Sequence, residues 1–424
     1  MKALALSLMV GFSLLLVAGA AADPLPRAKA DDVGLSSERL DRIGQILRAD
    51  VERGRIPGAV VVVARKGRIA YFDTAGFRDK SSNAPMPPDA IFRIASMTKP
   101  LVSVATMMLY EEGRLLLTDP VSKYIPELAN RQVGVEKLDP ATGKTVFYTM
   151  PATSEMTIQD LLRHTSGFTY GNRGTTQVHK LYEGAMSGLT RELTPQEFIT
   201  RLAKLPLLNQ PGTTWEYGFS TDVLGRVVEV VSGKPLGEVL AERIFRPLKM
   251  TDTGFVVTAD RQARLAQALA IDPDTNKETK LFDPTKPPKF ECGGGCGVST
   301  AGDYVRFTQM LLNRGTLEGA RILGRKTVEY MTANQLAPGT RSQLRTLYAD
   351  WGFGLSVAVR TTEGIARDSG SVGTFSWPGG YGTYWWADPK EELVAVWMAP
   401  TPVGPTNLRY RHTINALVNQ AIVD

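Results

Sequence analysis

Ser96 and Lys99, in the run Ser96-Met97-Thr98-Lys99, are the pair whose residue types and spacing best suit covalent chemistry. Positions i and i+3 of a helix share a face, about one turn apart. A serine hydroxyl is a weak nucleophile until a neighbouring base takes its proton. Lysine can be that base where burial or nearby cations lower the pKa of its amine. Pro100 follows at once, and proline is tolerated only in a helix's first turn, so the helix must start close to Ser96. Its positive end then favours an anion developing at the nucleophile. At average usage Ser-x-x-Lys arises on the order of once in a chain of this length, so the motif needs support from its surroundings.

Other chemistries find less support. A Gly-x-Ser-x-Gly elbow is absent; Gly297-Val298-Ser299-Thr300-Ala301 comes nearest, and Ser299 or Thr300 reads as the cap of the helix that follows. An α/β-hydrolase would also need a catalytic histidine. The chain has three histidines, His164, His179 and His412, none with a metal-ligand partner at suitable spacing. No phosphate-binding loop or dinucleotide fingerprint is present. The reading therefore calls for no cofactor and no metal. The formal charge of +6 is spread over 49 basic residues without a block of five or six, which gives nucleic acid no obvious patch.

Several elements must position the serine. Ser36-Ser37-Glu38 opens a helix with Leu40, Ile43, Leu47 and Val51 on one side, ended by Gly54. Residues 58–64 and 68–74 form a hairpin about Lys66-Gly67. The run 101–112 is apolar nearly all round, which predicts a buried helix ended by Gly113. Thr157-Ile158-Gln159-Asp160 has capping-box spacing at the head of a short helix that stops at Gly167. Further helices are expected over 195–205, 221–232 and 300–313, and an inserted hairpin over 137–150. Residues 272–289 are polar and proline-rich and read as a surface loop. Short strands return at 352–360, 371–377, 382–387 and 393–399, before a last helix over 408–423.

The first residues have the order of a secretory signal: Lys2, an apolar run over 3–17, and small residues 18–22 before Asp23. The run is shorter than the roughly 20 apolar residues that span a bilayer, and no other stretch is long and apolar enough. Cys292 and Cys296, separated by three glycines, are either a small disulfide in an exported protein or two buried thiols in a tight turn.

The segments around Ser96 resemble the β-lactamase-like serine hydrolases, which include class C β-lactamases, penicillin-binding DD-peptidases and family VIII carboxylesterases. The resemblance rests on 92–101, 112–121, Leu161 to Gly167, Gln210-Pro211-Gly212, Trp215-Glu216-Tyr217, 220–225 and 297–301, in the family's order, and spans roughly residues 30–420. It implies that Ser96 is the nucleophile, Lys99 its base, and Tyr217 the tyrosine that helps move the serine proton and later protonates the leaving group. Phe219 stands where the family often has the Asn that serves amide substrates. In place of the Lys-Thr-Gly of lactamases, Trp377-Pro378-Gly379-Gly380 resembles the Trp-x-Gly of family VIII carboxylesterases. The same resemblance puts the backbone N–H groups of Gly380 and Ser96 in an oxyanion hole and makes Trp377 an aromatic wall. Pro378, within a strand, must face an edge or a bulge.

The expected fold is α/β in the α+β sense: an antiparallel sheet flanked by the terminal helices, with a large helical domain inserted. The expected domains are a signal peptide at 1–22, an α/β domain from 23–100 and 340–424, and a mainly helical domain at 101–339. The expected function is cleavage of carboxylic esters, with short acyl chains, through a Ser96 acyl-enzyme. The partner would be a small-molecule ester, and the protein would be exported, periplasmic or secreted, with no membrane span once the signal is removed. A β-lactamase or DD-peptidase on the same scaffold is one alternative; a non-catalytic binder of peptidoglycan or another ligand is a second. A binder has no need of Ser96, Lys99 and Tyr217 together.

Overall fold

The computed structural model describes residues 24–188, 190–342 and 351–424. The proposed signal at 1–22 lies outside the described residues. An eight-stranded antiparallel sheet is built from both ends of the chain: β1 (Gly58–Arg65), β2 (Arg68–Asp79), β3 (Ala84–Pro85), β4 (Trp351–Phe353), β5 (Ala358–Arg360), β6 (Phe375–Gly379), β7 (Thr383–Asp388) and β8 (Leu393–Met398). Their spatial order is β4-β5-β6-β7-β8-β1-β2-β3. β1 and β8 lie at the centre, in register through Val61 opposite Trp397 and Val62 opposite Val396.

Burial on both faces explains why β1 reads Gly-Ala-Val-Val-Val-Val-Ala-Arg with no polar alternation. Ala59, Val61 and Val63 face α1 (Ser37–Glu52) and the last helix through Leu40, Ile43, Leu47, Tyr410 and Ile414. Val60 and Val62 face the opposite way, into the larger core shared with the helices between the two halves of the sheet. The central helix of that core, α2 (Thr98–Glu111), is buried over most of its surface, as its all-round apolar pattern requires. It is followed by α3 (Ser220–Ser232), α4 (Ala301–Leu312), which is capped by Thr300 rather than Ser299, and α5 (Pro405–Asn419). The capping box predicted at Thr157 is present with Asp160. Its helix ends at Leu162, short of Gly167, because His164 takes a left-handed conformation with φ +57°. The strand expected over 352–360 is two strands, broken where Ser356 also has positive φ, +65°. Helices at Gln177–Met186 and Arg325–Met331 were not expected; the first carries an apolar stripe, Val178, Tyr182 and Met186 four residues apart, that the sequence does show. Among the described residues, no helix is long and apolar enough to cross a membrane.

Candidate active site

Ser96 sits in a single 3-10 turn, Ala95–Met97, between the end of a short strand and the first turn of α2. Ala95 holds φ at +43°, a costly value for a residue with a Cβ. The neighbouring bonds explain how it persists. Thr98 Oγ1 donates to the Ala95 carbonyl at 2.6 Å and accepts from Gly297 N at 3.0 Å. Tyr304 Oη donates to the Met97 carbonyl at 2.7 Å, and Ile94 N donates to Gly297 O at 3.0 Å. Ser96 is thus presented by a turn anchored from α2, α4 and the backbone at Gly297. The rival serines are sequestered: Ser166 and Ser299 are fully buried, hydrogen-bonded to Ser220 and Thr253 respectively.

Lys99 is fully buried, and its Nζ donates to Ser96 Oγ at 3.3 Å, to Tyr170 Oη at 3.5 Å and to the Gly294 carbonyl. Tyr170 Oη in turn donates to Asp222 Oδ2 at 3.5 Å, and Gly294 N donates to Asp222 Oδ1 at 2.9 Å. A chain of donors and acceptors therefore runs from Ser96 through Lys99 and Tyr170 to Asp222. Burial pushes the Asp222 carboxyl up to about 6, against the opposing pull of Lys99 and the Gly294 N–H. Burial, then the Asp222 charge, hold the Tyr170 phenol well above its ordinary range, so it stays protonated. His164 is held well below its usual range by burial, then by Lys99 and Arg173, and is a neutral imidazole under Tyr217, with ring centroids 4.9 Å apart.

Tyr217 presents its ring to Lys99, with Nζ 4.6 Å from the centroid, and its hydroxyl makes no hydrogen bond among the described residues. Trp377, on β6, is 6% exposed and packs on Tyr217 and Phe353 at centroid distances of 5.4 and 5.2 Å. Gly379 ends β6 against Ile94, where any Cβ would meet the Ile94 carbonyl, and Gly380, the next residue, lines the same cleft as Ser96. Pro378 lies past the end of β5, which pairs with β6 only through Phe375 and Ser376, so no neighbouring strand needs its missing N–H on that side. Phe219 is buried edge-on to Tyr170 at 4.6 Å. Ser96, Tyr217, Trp377 and Gly380 all open into one cleft of about 1350 Å³. Cys292 and Cys296 are joined in a disulfide, with Cα atoms 5.3 Å apart. Among the described residues, no group of three or more His, Cys, Asp or Glu side chains could hold a metal ion.

The family model described as Beta-lactamase matches residues 43–420. The chain belongs to the β-lactamase family. Within that family it is similar to esterase EstB of Burkholderia gladioli, with 31% identity over 417 residues, covering 92% of this chain and 98% of EstB. Lovastatin esterase of Penicillium rubens is 30% identical over 377 residues, covering 82% of this chain and 90% of that enzyme. Among solved structures, EstCE1, described as a hydrolase with promiscuous acyltransferase activity, matches with a TM-score of 0.72 at 28% identity, over 90% of this chain and 98% of its own.

Two residues of this β-lactamase-family site escape a reading by motif. Tyr170 lies three residues past the Leu161–Gly167 segment, and Asp222 lies inside the 220–225 segment. For Asp222 a signal existed: a carboxylate among Val223, Leu224, Val227 and Val228 on a buried helix needs a partner. The loop at 272–289, expected to be a plain surface loop, is irregular but lines the cleft through residues 280–283 and 286–289.

Proposed function

We propose that this β-lactamase-family protein is a carboxylesterase acting on small esters of short acyl chains through an acyl-enzyme at Ser96. The observation that carries the reading is Lys99 Nζ, fully buried and 3.3 Å from Ser96 Oγ at the foot of an aromatic-walled cleft. In the first step Lys99 must act as the neutral amine, its lone pair turned to the Ser96 hydroxyl across the 3.3 Å contact; Ser96 Oγ bonds to the ester carbonyl carbon while its proton passes to that lone pair. The backbone N–H groups of Ser96 and Gly380 receive the oxyanion, usually the largest catalytic contribution. The carbon–oxygen bond to the alcohol then breaks, and the alcohol leaves with a proton delivered through Lys99 and the Tyr217 hydroxyl. Water repeats the sequence on the acyl-enzyme and returns the serine. Tyr170 and Asp222 hold Lys99 in line.

Phe219 and Trp377 favour an ester over an amide or a β-lactam. Neither side chain offers the amide or ammonium that would pair a lactam's polar groups, and a buried polar group left unpaired costs about 1–3 kcal/mol. The test is a nitrophenyl ester panel set against a chromogenic cephalosporin. Acetyl and butyryl esters should be favoured by at least about tenfold in kcat/KM, about 1.4 kcal/mol. A cephalosporin opened as fast as butyrate is cleaved replaces this reading with the β-lactamase alternative. Binding of either without turnover, with Ser96 unmodified, favours the non-catalytic alternative.

We also propose that residues 1–22 form an export leader and that the mature protein is periplasmic or secreted. Leu25 is already 2% exposed in the core, which supports a mature chain beginning just before it. N-terminal sequencing of exported protein should read from Asp23; an intact Met1 on exported protein would contradict the leader.

A further inference from the structure

The segment Cys292-Gly293-Gly294-Gly295-Cys296 touches the catalytic floor with its backbone alone. Both backbone groups of Gly294 are used there: its carbonyl accepts from Lys99 Nζ, and its N–H donates to Asp222 Oδ1 at 2.9 Å. Gly293 and Gly294 are dictated by this closeness. A Cβ on Gly293 would collide with the Thr221 carbonyl, and one on Gly294 with the Asp222 carboxylate; Gly295 faces Ala95, beside the nucleophile. Three consecutive glycines are also the freest stretch of backbone a chain can have. Left open, such a loop would place the Gly294 carbonyl over a wide range of positions. The Cys292–Cys296 disulfide closes it, and both sulfur-bearing residues are buried.

We propose that the disulfide-closed triglycine loop is a positioning element for the Ser96–Lys99 pair, the crosslink holding Gly294 where it fixes Lys99 and Asp222 together. The loop does not contact substrate as a reacting group; it acts through Lys99. The inference rests on Ser96 being the nucleophile. A purely structural staple would affect thermal stability alone, whereas a positioning element changes the rate of the bond-forming step at temperatures where the fold is intact. Misplacement by about 1 Å can cost on the order of 100-fold in such a step.

The test is the kinetics of phosphonylation by a fluorophosphonate. Ser96 Oγ bonds to phosphorus, fluoride leaves, and the serine proton goes to Lys99. The full mature chain is compared with Cys292→Ala/Cys296→Ala and, with the disulfide kept, Gly294→Ala. Each is assayed well below its own unfolding midpoint. The expected result is a fall of at least about tenfold in the maximal inactivation rate in both variants, with the half-saturating probe concentration unchanged within about twofold. If the double cysteine variant is too unstable to assay, wild type with the disulfide reduced by a phosphine, again below its own unfolding midpoint, carries the test of the crosslink; Gly294→Ala, whose Cβ meets the Asp222 carboxylate, reports on the placement of Gly294 alone. Maximal rates within about twofold of wild type, whatever the loss in thermal midpoint, reduce the loop to a staple and overturn the inference. Failure of the wild type to label at Ser96 is a different result: it removes the nucleophile assignment, and this inference with it.

Discussion

The floor of the cleft and its rim are built by opposite rules. On the floor, Lys99 and Asp222 are almost wholly buried, and each is held by several named partners. On the rim, Lys280 and Lys286 are 84% exposed at the side chain and make only loose ion pairs, at 3.8 and 3.9 Å, from a segment without regular structure. Exposed pairs of that kind contribute little. The floor is therefore over-determined, so that moving one group disturbs the others. The rim can change its side chains at small cost to the fold, as loops on a rigid scaffold commonly do. In the proposed esterase, rate should depend on the floor and substrate choice on the walls and rim.

Substitutions should sort along that division. Ser96→Ala should remove ester turnover by about 10⁴-fold or more in kcat, since losing a nucleophile in a concerted set costs nearly as much as losing the set. Residual turnover within about tenfold of wild type would place the nucleophile elsewhere. Gly380→Pro should cost about 100- to 1000-fold, because only proline deletes the N–H, and Gly380→Ala much less. An alanine Cβ there would meet only the Val403 side chain, at 3.1 Å. Equal and small losses in two folded variants would remove Gly380 from the oxyanion hole.

Asp222→Asn should lower kcat by about tenfold and carry a signature in stability. The Asp222 carboxyl is raised by burial from 3.8 to about 6 in the folded protein. Its favourable contribution is therefore complete below the unfolded value and is lost as pH rises through about 6. Between pH 4 and pH 7 the stability difference should move in favour of the Asn variant, by about 2 kcal/mol. Denaturant melts at those two pH values measure it, and a difference that stays constant would show that Asp222 ionises freely. On the wall, Phe219→Asn should change the ester-to-cephalosporin ratio by about tenfold while leaving thermal stability lower, since it removes buried aromatic contacts with Tyr170 and Phe198. On the rim, Lys286→Ala should alter neither kcat nor stability by more than about twofold or 0.5 kcal/mol. A tenfold loss in that variant would erase the contrast between rim and floor.

What the sequence disclosed followed the range of the interactions. Ser96 and Lys99 are one helical turn apart, and Pro100 marks where that turn begins, so their closeness was legible from local spacing, while their role rested on the surrounding segments. The hairpin of β1 and β2 was visible as two strand-like runs about Lys66-Gly67, though not that β1 is buried on both faces. Tyr170 was not visible, because its role depends on a contact with Lys99 across 71 positions of chain. The cleft-lining use of 280–289 was hidden for the same reason: polarity and proline mark a loop, but not what the loop covers. The early end of the Thr157 helix came from His164 in a left-handed conformation, a state that histidine does not announce. Cys292 and Cys296 left a disulfide and a thiol turn equally open in the sequence; in the structure they are bonded.

The central claim, that catalysis runs through Ser96, is tested most directly by mapping a fluorophosphonate adduct on the intact mature protein. The expected result is a mass increase of one adduct, located by peptide mapping on Ser96, and no labelling of Ser96→Ala. An adduct on Ser166 or Ser299, or labelling that survives Ser96→Ala, would contradict it.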